Sequence, residues 1–282
     1  MTATLVVARW TVTEAVSRRL VLAAILLSAA FVGVFGLAFS ILYGRAEAET
    51  GGDANFPVFA ATLLTVLGLY AVQFLAAFLA LLLSTGAISG EVESGTLHAV
   101  LARPLGRGQY LLGRWIASVA LVSAYVVAMA GSLVLIARVV AGYQPVDPVK
   151  AVALLVLETV LLLTAGLLGS SFLPTLANAV VLFSLFGLAW LGGIVEFIGQ
   201  TFSNQTLANL GVVVSLVFPS DAIWRAVSYY LQPPLFLGEA VTRGGIPFAA
   251  LTPPTTALLL WVLAYPVATL LAALRTFARR DL

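Results

Sequence analysis

Six long apolar runs constrain this chain more than anything else in it. They cover residues 20–43, 58–83, 111–137, 151–172, 176–198 and 255–274. Backbone amides and carbonyls placed in lipid find no water, so a crossing segment must satisfy them internally, which a helix of about 20 residues spanning roughly 30 Å of hydrocarbon does. The expected fold is therefore all-α, a polytopic membrane protein with six transmembrane helices in a single domain over residues 1–282. Only 9% of the residues are charged and 61% are hydrophobic, against about 25% charged in soluble domains. No stretch is left over for a large soluble domain. The first run exceeds the roughly 7–15 residues of a cleavable signal's apolar core and is expected to persist as the first span.

Several chemistries drop out at once. The chain has no cysteine, which excludes disulfides, thiol catalysis and thiolate metal sites. His98 is the single histidine, too little for a metal centre or an intramembrane histidine-dependent enzyme. A Gly-x-x-x-x-Gly-Lys-[Ser/Thr] phosphate loop is absent, and the single lysine, Lys150, lies far from any such pattern. No catalytic, cofactor-binding or metal-binding residue is expected in this chain. Its net charge of +2 is spread over helix ends rather than gathered in a patch, so no nucleic-acid partner is expected either.

Arginine placement sets the expected orientation, because cytoplasmic flanks collect basic residues. With both termini inside, Arg9, Arg18, Arg19, Arg103, Arg107, Arg114, Arg275, Arg279 and Arg280 are cytoplasmic, nine of the fourteen basic residues. Residues 1–19 read as an interfacial helix, with Val6, Trp10, Val16 and Leu20 recurring among charged positions. The stretch 207–218 is apolar but too short to cross, and counting it as a span would move the last three arginines outside. Residues 199–254 are therefore expected to be one long outer excursion, re-entrant or amphipathic, in which 207–218 dips into or lies on the membrane and Pro219-Ser220-Asp221 starts a helix carrying Trp224, Arg225 and Tyr229.

The stretch 89–108 is the longest cytoplasmic connection. Glu91 and Glu93 are too costly for hydrocarbon and mark the exit of the second helix. Gly95 breaks it, Thr96 can cap a new short helix, and Leu97, Val100 and Leu101 fall on one face before Arg103-Pro104 ends it. A short apolar face with no core to join must lie on lipid or dock into a partner's groove. Gly106-Arg107-Gly108 then turns the chain back toward Tyr110 and Trp115.

On these residues, Glu-x-Glu-x-Gly-Thr-Leu, then Leu101, Arg103-Pro104, Arg107 and Tyr110-Leu-Leu-Gly-Arg-Trp, the chain resembles the ABC-2 type transporter permeases. It is similar in particular to permeases that serve the copper-maturation system of nitrous oxide reductase. The resemblance implies the membrane subunit of an ATP-binding-cassette exporter in the cytoplasmic (inner) membrane. It further implies a homodimer or a heterodimer with a second permease, two copies of a cytoplasmic ATP-binding subunit that holds the ATP and magnesium, and membrane lipid around the whole. It makes 89–108 a coupling segment through which the ATPase moves the spans, with Glu91, Glu93, Gly95, Thr96, Leu97, Leu101, Pro104 and Arg107 as transmission residues. The glutamates are expected to pair with basic groups near the interface or on the partner, Gly95 and Pro104 to shape the elbow, and Leu97 and Leu101 to fill the partner's groove.

Two intramembrane polar residues stand apart from that segment. Glu158 in the fourth span is a candidate substrate or gating contact, because a buried carboxylate must be paired, hydrated or protonated; an inter-helix hydrogen bond or a protonated packing residue is the plainer reading. Gln73 in the second span is a weaker candidate, since buried amides commonly bond a neighbouring helix. Glu196 reads as the outer end of the fifth span. Other function classes remain open on the residues alone: an ion-gradient-driven secondary transporter, for which Glu158 and Gln73 are the qualifying midplane groups, and a membrane scaffold that anchors an ATPase without transport.

Overall fold

The computed structural model describes residues 3–17, 19–48, 55–93, 106–234, 236, 250 and 252–279. Among them regular structure is entirely helical. In chain order the helices are α1 (Ala3–Ser17), α2 (Arg19–Ala48), α3 (Phe56–Ser84), the single turn α4 (Ser89–Glu93), α5 (Arg107–Ala141), α6 (Pro148–Ser170), α7 (Thr175–Thr201), α8 (Gln205–Val217), α9 (Ser220–Leu231) and α10 (Thr256–Arg279). Six of these, α2, α3 with α4, α5, α6, α7 and α10, are long and apolar enough to cross a bilayer, the number expected from the sequence. Several run past their apolar cores: α5 begins at Arg107 and α10 ends at Arg279, because polar ends can continue helically into the head-group layer where water satisfies them.

Local chemistry fixes the boundaries. Pro148 sits at the start of α6, where its missing N–H costs nothing, and the carboxylate of Asp147 accepts from Lys150 N at 3.3 Å to cap that end. Asn204 does the same for α8, its Oδ1 accepting from the amides of Thr206 and Leu207 at 3.1 and 3.2 Å. Gly142 closes α5 at φ +61°, a left-handed conformation that favours a residue without Cβ.

The bundle is built around α3 and α6. Leu69, Val72 and Ala76 of α3 pack with Leu155, Leu161 and Leu162 of α6 in the principal core. By contrast α2 leaves Leu26 and Leu37 about two-thirds exposed, as a lipid-facing or subunit-facing helix would. Helix α1 lies across the start of α5, and a Cβ at Gly113 would meet Thr4 O and Val7 Cβ at 2.7 Å, so this crossing needs glycine.

The long segment after α7 is itself structured. Helix α8 returns along α7, so close that Cβ atoms at Gly199, Gly192 and Gly211 would meet Ala208, Val214 and Glu196 at 2.3, 2.6 and 2.4 Å. The chain then bends by 101° into α9. Ser220, at the start of α9, reaches Glu158 in the middle of α6, while its end returns to the start of α6, where Asp147 N donates to Tyr230 O at 2.9 Å and Tyr143 Oη donates to Leu231 O at 2.6 Å. Burial pushes the Tyr143 hydroxyl up to about 12, which keeps it a donor. Since α8 starts and α9 ends at the same end of the bundle, the pair is a re-entrant hairpin and not a seventh span.

Candidate functional site

Among the described residues the largest polar clusters in this apolar bundle lie one at mid-depth and one at the end that holds Arg9, Arg107, Arg114, Arg275 and Arg279. The mid-depth centre grows from α6. Glu158 is its eleventh residue, about 15 Å along the helix at 1.5 Å per residue, or roughly halfway through the hydrocarbon. It is 1% exposed, and Gln73 of α3 is 6% exposed. The two residues singled out separately in the sequence meet here: Gln73 Nε2 donates to Glu158 Oε1 at 2.6 Å. The Ser220 hydroxyl, delivered by the hairpin tip, donates to the same oxygen.

Aromatic rings close over this contact. Tyr70 stacks obliquely on Trp224 with centroids 4.9 Å apart, Phe74 meets Tyr70 edge-on at 5.1 Å, and the indole of Trp190 donates to the Tyr70 hydroxyl. Directly above, Arg225 of α9 ties the hairpin to α7. Its Nη1 lies 2.9 Å from Glu196 Oε1, its Nε 2.9 Å from Asp221 Oδ2, and its Nη2 donates to Gly193 O at 2.6 Å. Gly193 leaves the room that Asp221 fills, since a Cβ there would fall 2.0 Å from the carboxylate. One cation thus holds two carboxylates and a backbone carbonyl on two helices.

The second centre is organised by Arg114 of α5, which is 7% exposed. Its guanidinium pairs with Glu91 at close range, lies 3.7 Å from Glu14 of α1, and faces the Trp10 ring at 5.6 Å. Its Nε donates to Tyr110 Oη at 3.1 Å, and that hydroxyl donates to Glu91. Glu93 accepts from Thr175 N at 3.0 Å and from its hydroxyl, on the first turn of α7, where a carboxylate is favoured by the helix dipole. Arg107 Nη1 donates to Ala278 O at 3.1 Å, on the last turn of α10. Of the coupling residues expected from the sequence, Gly95, Thr96, Leu97, Leu101 and Pro104 lie outside the described residues, as does His98. The three that are described, Glu91, Glu93 and Arg107, sit on the two flanks of that segment and reach α5, α7 and α10.

Sequence reasoning placed Arg114 at the interface without its partners, and left Asn178 unmentioned. Asn178 Nδ2 donates to Thr85 O at 3.1 Å and to Gly166 O at 2.9 Å, joining α7 to the ends of α3 and α6. A buried asparagine early in an apolar helix was the available signal. Asp221 and Arg225 share one side of a short helix by their i, i+4 spacing, which marks that side as polar but not what it meets.

The family model described as ABC-2 family transporter protein matches residues 13–282. The chain belongs to the ABC-2 transporter family. Shorter stretches of this ABC-2 protein also match curated relatives. It is 42% identical over 74 residues to the "Probable ABC transporter permease protein NosY" of Pseudomonas aeruginosa, covering 26% of this chain and 25% of that one. It is 44% identical over 69 residues to the protein of the same description from Stutzerimonas stutzeri, 24% of each chain. The aligned stretch is thus about a quarter of the length of each relative. Family membership with six helices long and apolar enough to cross a bilayer makes the ABC-2 protein a multi-pass membrane protein of the ABC transporter class.

Proposed function

We propose that this chain is the permease of an ABC exporter in which a separate cytoplasmic subunit hydrolyses ATP and drives the spans through residues 89–108. Two permeases, identical or related, form the pathway, and each carries one ATP-binding subunit at its arginine-rich end. That end is the cytoplasmic face of the inner membrane, as the positive-inside bias of Arg9, Arg107, Arg114, Arg275 and Arg279 favours. The cargo moves outward past the re-entrant hairpin.

One observation supports the coupling role above the others: both flanks of the segment are fastened to spans. Upstream, Glu91 is held by Arg114 and Tyr110, and Glu93 by the first turn of α7. Downstream, Arg107 is held by the last turn of α10. A push on the segment between them is delivered to α5, α7 and α10 together, since a packed bundle transmits displacement through its contacts rather than absorbing it. Leu97 and Leu101 are the docking surface in this reading, and Gly95, Thr96 and Pro104 shape the elbow.

The test is a double substitution, Leu97→Asp with Leu101→Asp, followed by co-purification with the ATP-binding subunit and by ATP turnover in proteoliposomes. Loss of the partner with an unaltered helical signal is the expected result. Full retention of the partner and its turnover would refute the docking role.

A further inference from the structure

Around the tip of the re-entrant hairpin, hydrogen-bond donors and acceptors do not balance. Glu158 Oε1 accepts twice, from Gln73 Nε2 and from the Ser220 hydroxyl. Glu158 Oε2 and Gln73 Oε1, both sealed from solvent, have no partner. Both orphans are acceptors, so the shortage is of donors alone. An ionised carboxylate leaves them both unmatched in a low-dielectric interior, where unpaired polar atoms and charges are costly. One proton on Oε2 corrects this, because a carboxylic acid and a primary amide can close a ring of two hydrogen bonds, amide N–H to one acid oxygen and acid O–H back to the amide oxygen.

The surrounding charges agree. From α3 the site meets Gln73 and the Tyr70 hydroxyl; from α9 it meets Ser220, with Asp221 and Arg225 beyond; from α7 it meets Glu196 beyond these. Arg225 is engaged by Asp221 and Glu196, two negative charges against its one positive, so the neighbourhood disfavours a further anion. The arginines of α5 and α10 lie toward the ends of those helices, Arg107, Arg114, Arg138, Arg275 and Arg279. Tyr265 of α10 spends its hydroxyl on Val217 O, and Tyr125 of α5 shares a hydrogen bond with Ser28.

We propose that Glu158 and Gln73 form a mid-membrane proton site, an acid–amide pair that is filled while the α8–α9 hairpin is seated and emptied when the hairpin withdraws. Ser220 links the two events. Withdrawal of α9 removes its donor from Oε1 and lets water reach the acid, which then ionises as an ordinary carboxylate does. The transfer is of a proton to water, with no other bond made or broken. This inference needs only the membrane-embedded bundle and not the coupling role of residues 89–108, and its test uses no ATP-binding subunit.

The purified full chain in lipid nanodiscs is examined by infrared difference spectroscopy, wild type against Glu158→Gln. A protonated-carboxyl stretch at neutral pH, present in the wild type, absent from the variant and shifted in Gln73→Leu, is expected. Hydrogen exchange of residues 205–231, corrected for intrinsic rates, is then followed against pH. A proton held in the seated form and released on opening makes opening easier by up to about tenfold per pH unit. That slope runs from the ordinary carboxylate range up to the midpoint of the infrared titration, and levels off above it. In Glu158→Gln it is shallower, since only Asp221 of the hairpin then exchanges a proton on opening. A wild type with carboxylate bands alone at neutral pH overturns the proposal, since a buried water then serves both oxygens. Equal pH slopes in wild type and Glu158→Gln overturn the link to the hairpin. If Glu158→Gln does not fold, the Gln73→Leu shift decides the first question, and Ser220→Ala, which loses the hairpin's donor, is expected to lower the infrared midpoint; an unmoved midpoint overturns the link.

Discussion

Replacing Arg225 by methionine removes the cation that ties the re-entrant hairpin to α7 while keeping much of its apolar stem. Three contacts disappear together, to Glu196, Asp221 and the Gly193 carbonyl. The side chains of Arg225, Glu196 and Asp221 are 21%, 14% and 12% exposed, so the loss falls between two known regimes. Breaking a fully buried pair costs roughly 3–5 kcal/mol because a charge is stranded, and an exposed pair costs roughly 0–1 kcal/mol. A cost of about 2–3 kcal/mol follows, which corresponds to roughly 30- to 160-fold easier opening of the hairpin at 1.36 kcal/mol per factor of ten. Hydrogen exchange in nanodiscs measures it directly: residues 205–231 lose protection by that factor while α3 and α6 away from the contact keep theirs. Adding Glu196→Gln and Asp221→Asn should recover part of the loss, because the stranded charges go with them. Protection changed by less than about threefold in Arg225→Met would refute the reasoning and mark the triad as idle.

Two further outcomes are expected. Gly113→Val forces α1 off α5, because even the first added carbon falls 2.7 Å from Thr4 O and Val7 Cβ; overpacking of this kind costs roughly 1–3 kcal/mol and is read as faster exchange over residues 3–17 with α6 unchanged. At the opposite end, the hydrogen bond and charge of Lys150 hold the Asp147 carboxyl below its usual range. Its capping of α6 is thus complete above the ordinary aspartate value and is lost only as pH falls through the lowered one, so the amides of residues 149–151 should begin to fray at lower pH in the wild type than in Lys150→Met.

The spans were legible because their signal is local: an apolar run of sufficient length has one solution in lipid. The hairpin was half legible. The length of 207–218 argued against a crossing, and Pro219-Ser220 marked a new start, but nothing local says that Ser220 lands on a residue 62 positions away. Gln73 and Glu158 were each conspicuous as polar groups in hydrocarbon, yet their meeting across 85 positions is a property of how α3 packs on α6. Glu196 read as the end of a span because its partner Arg225 sits in a segment whose path was unknown. Glycine spacing along α7 and α8 carried no warning either, since glycine and alanine are too frequent here for a pattern to stand out. The coupling role proposed for residues 89–108 rests on resemblance, because short apolar faces look alike until a partner covers them.

The segment after α7 is joined to the bundle in two different ways. At Gly199 and Gly211 the backbones of α7 and α8 lie so near each other that any added side chain would meet main chain of the facing helix. Past the bend at Pro219, α9 is set into the core by Ile223, Trp224, Val227 and Leu231 and fastened besides by the polar contacts of Ser220 and Arg225. A rearrangement of these twelve residues must therefore part apolar surfaces as well as polar bonds, which favours two discrete positions over a continuous drift.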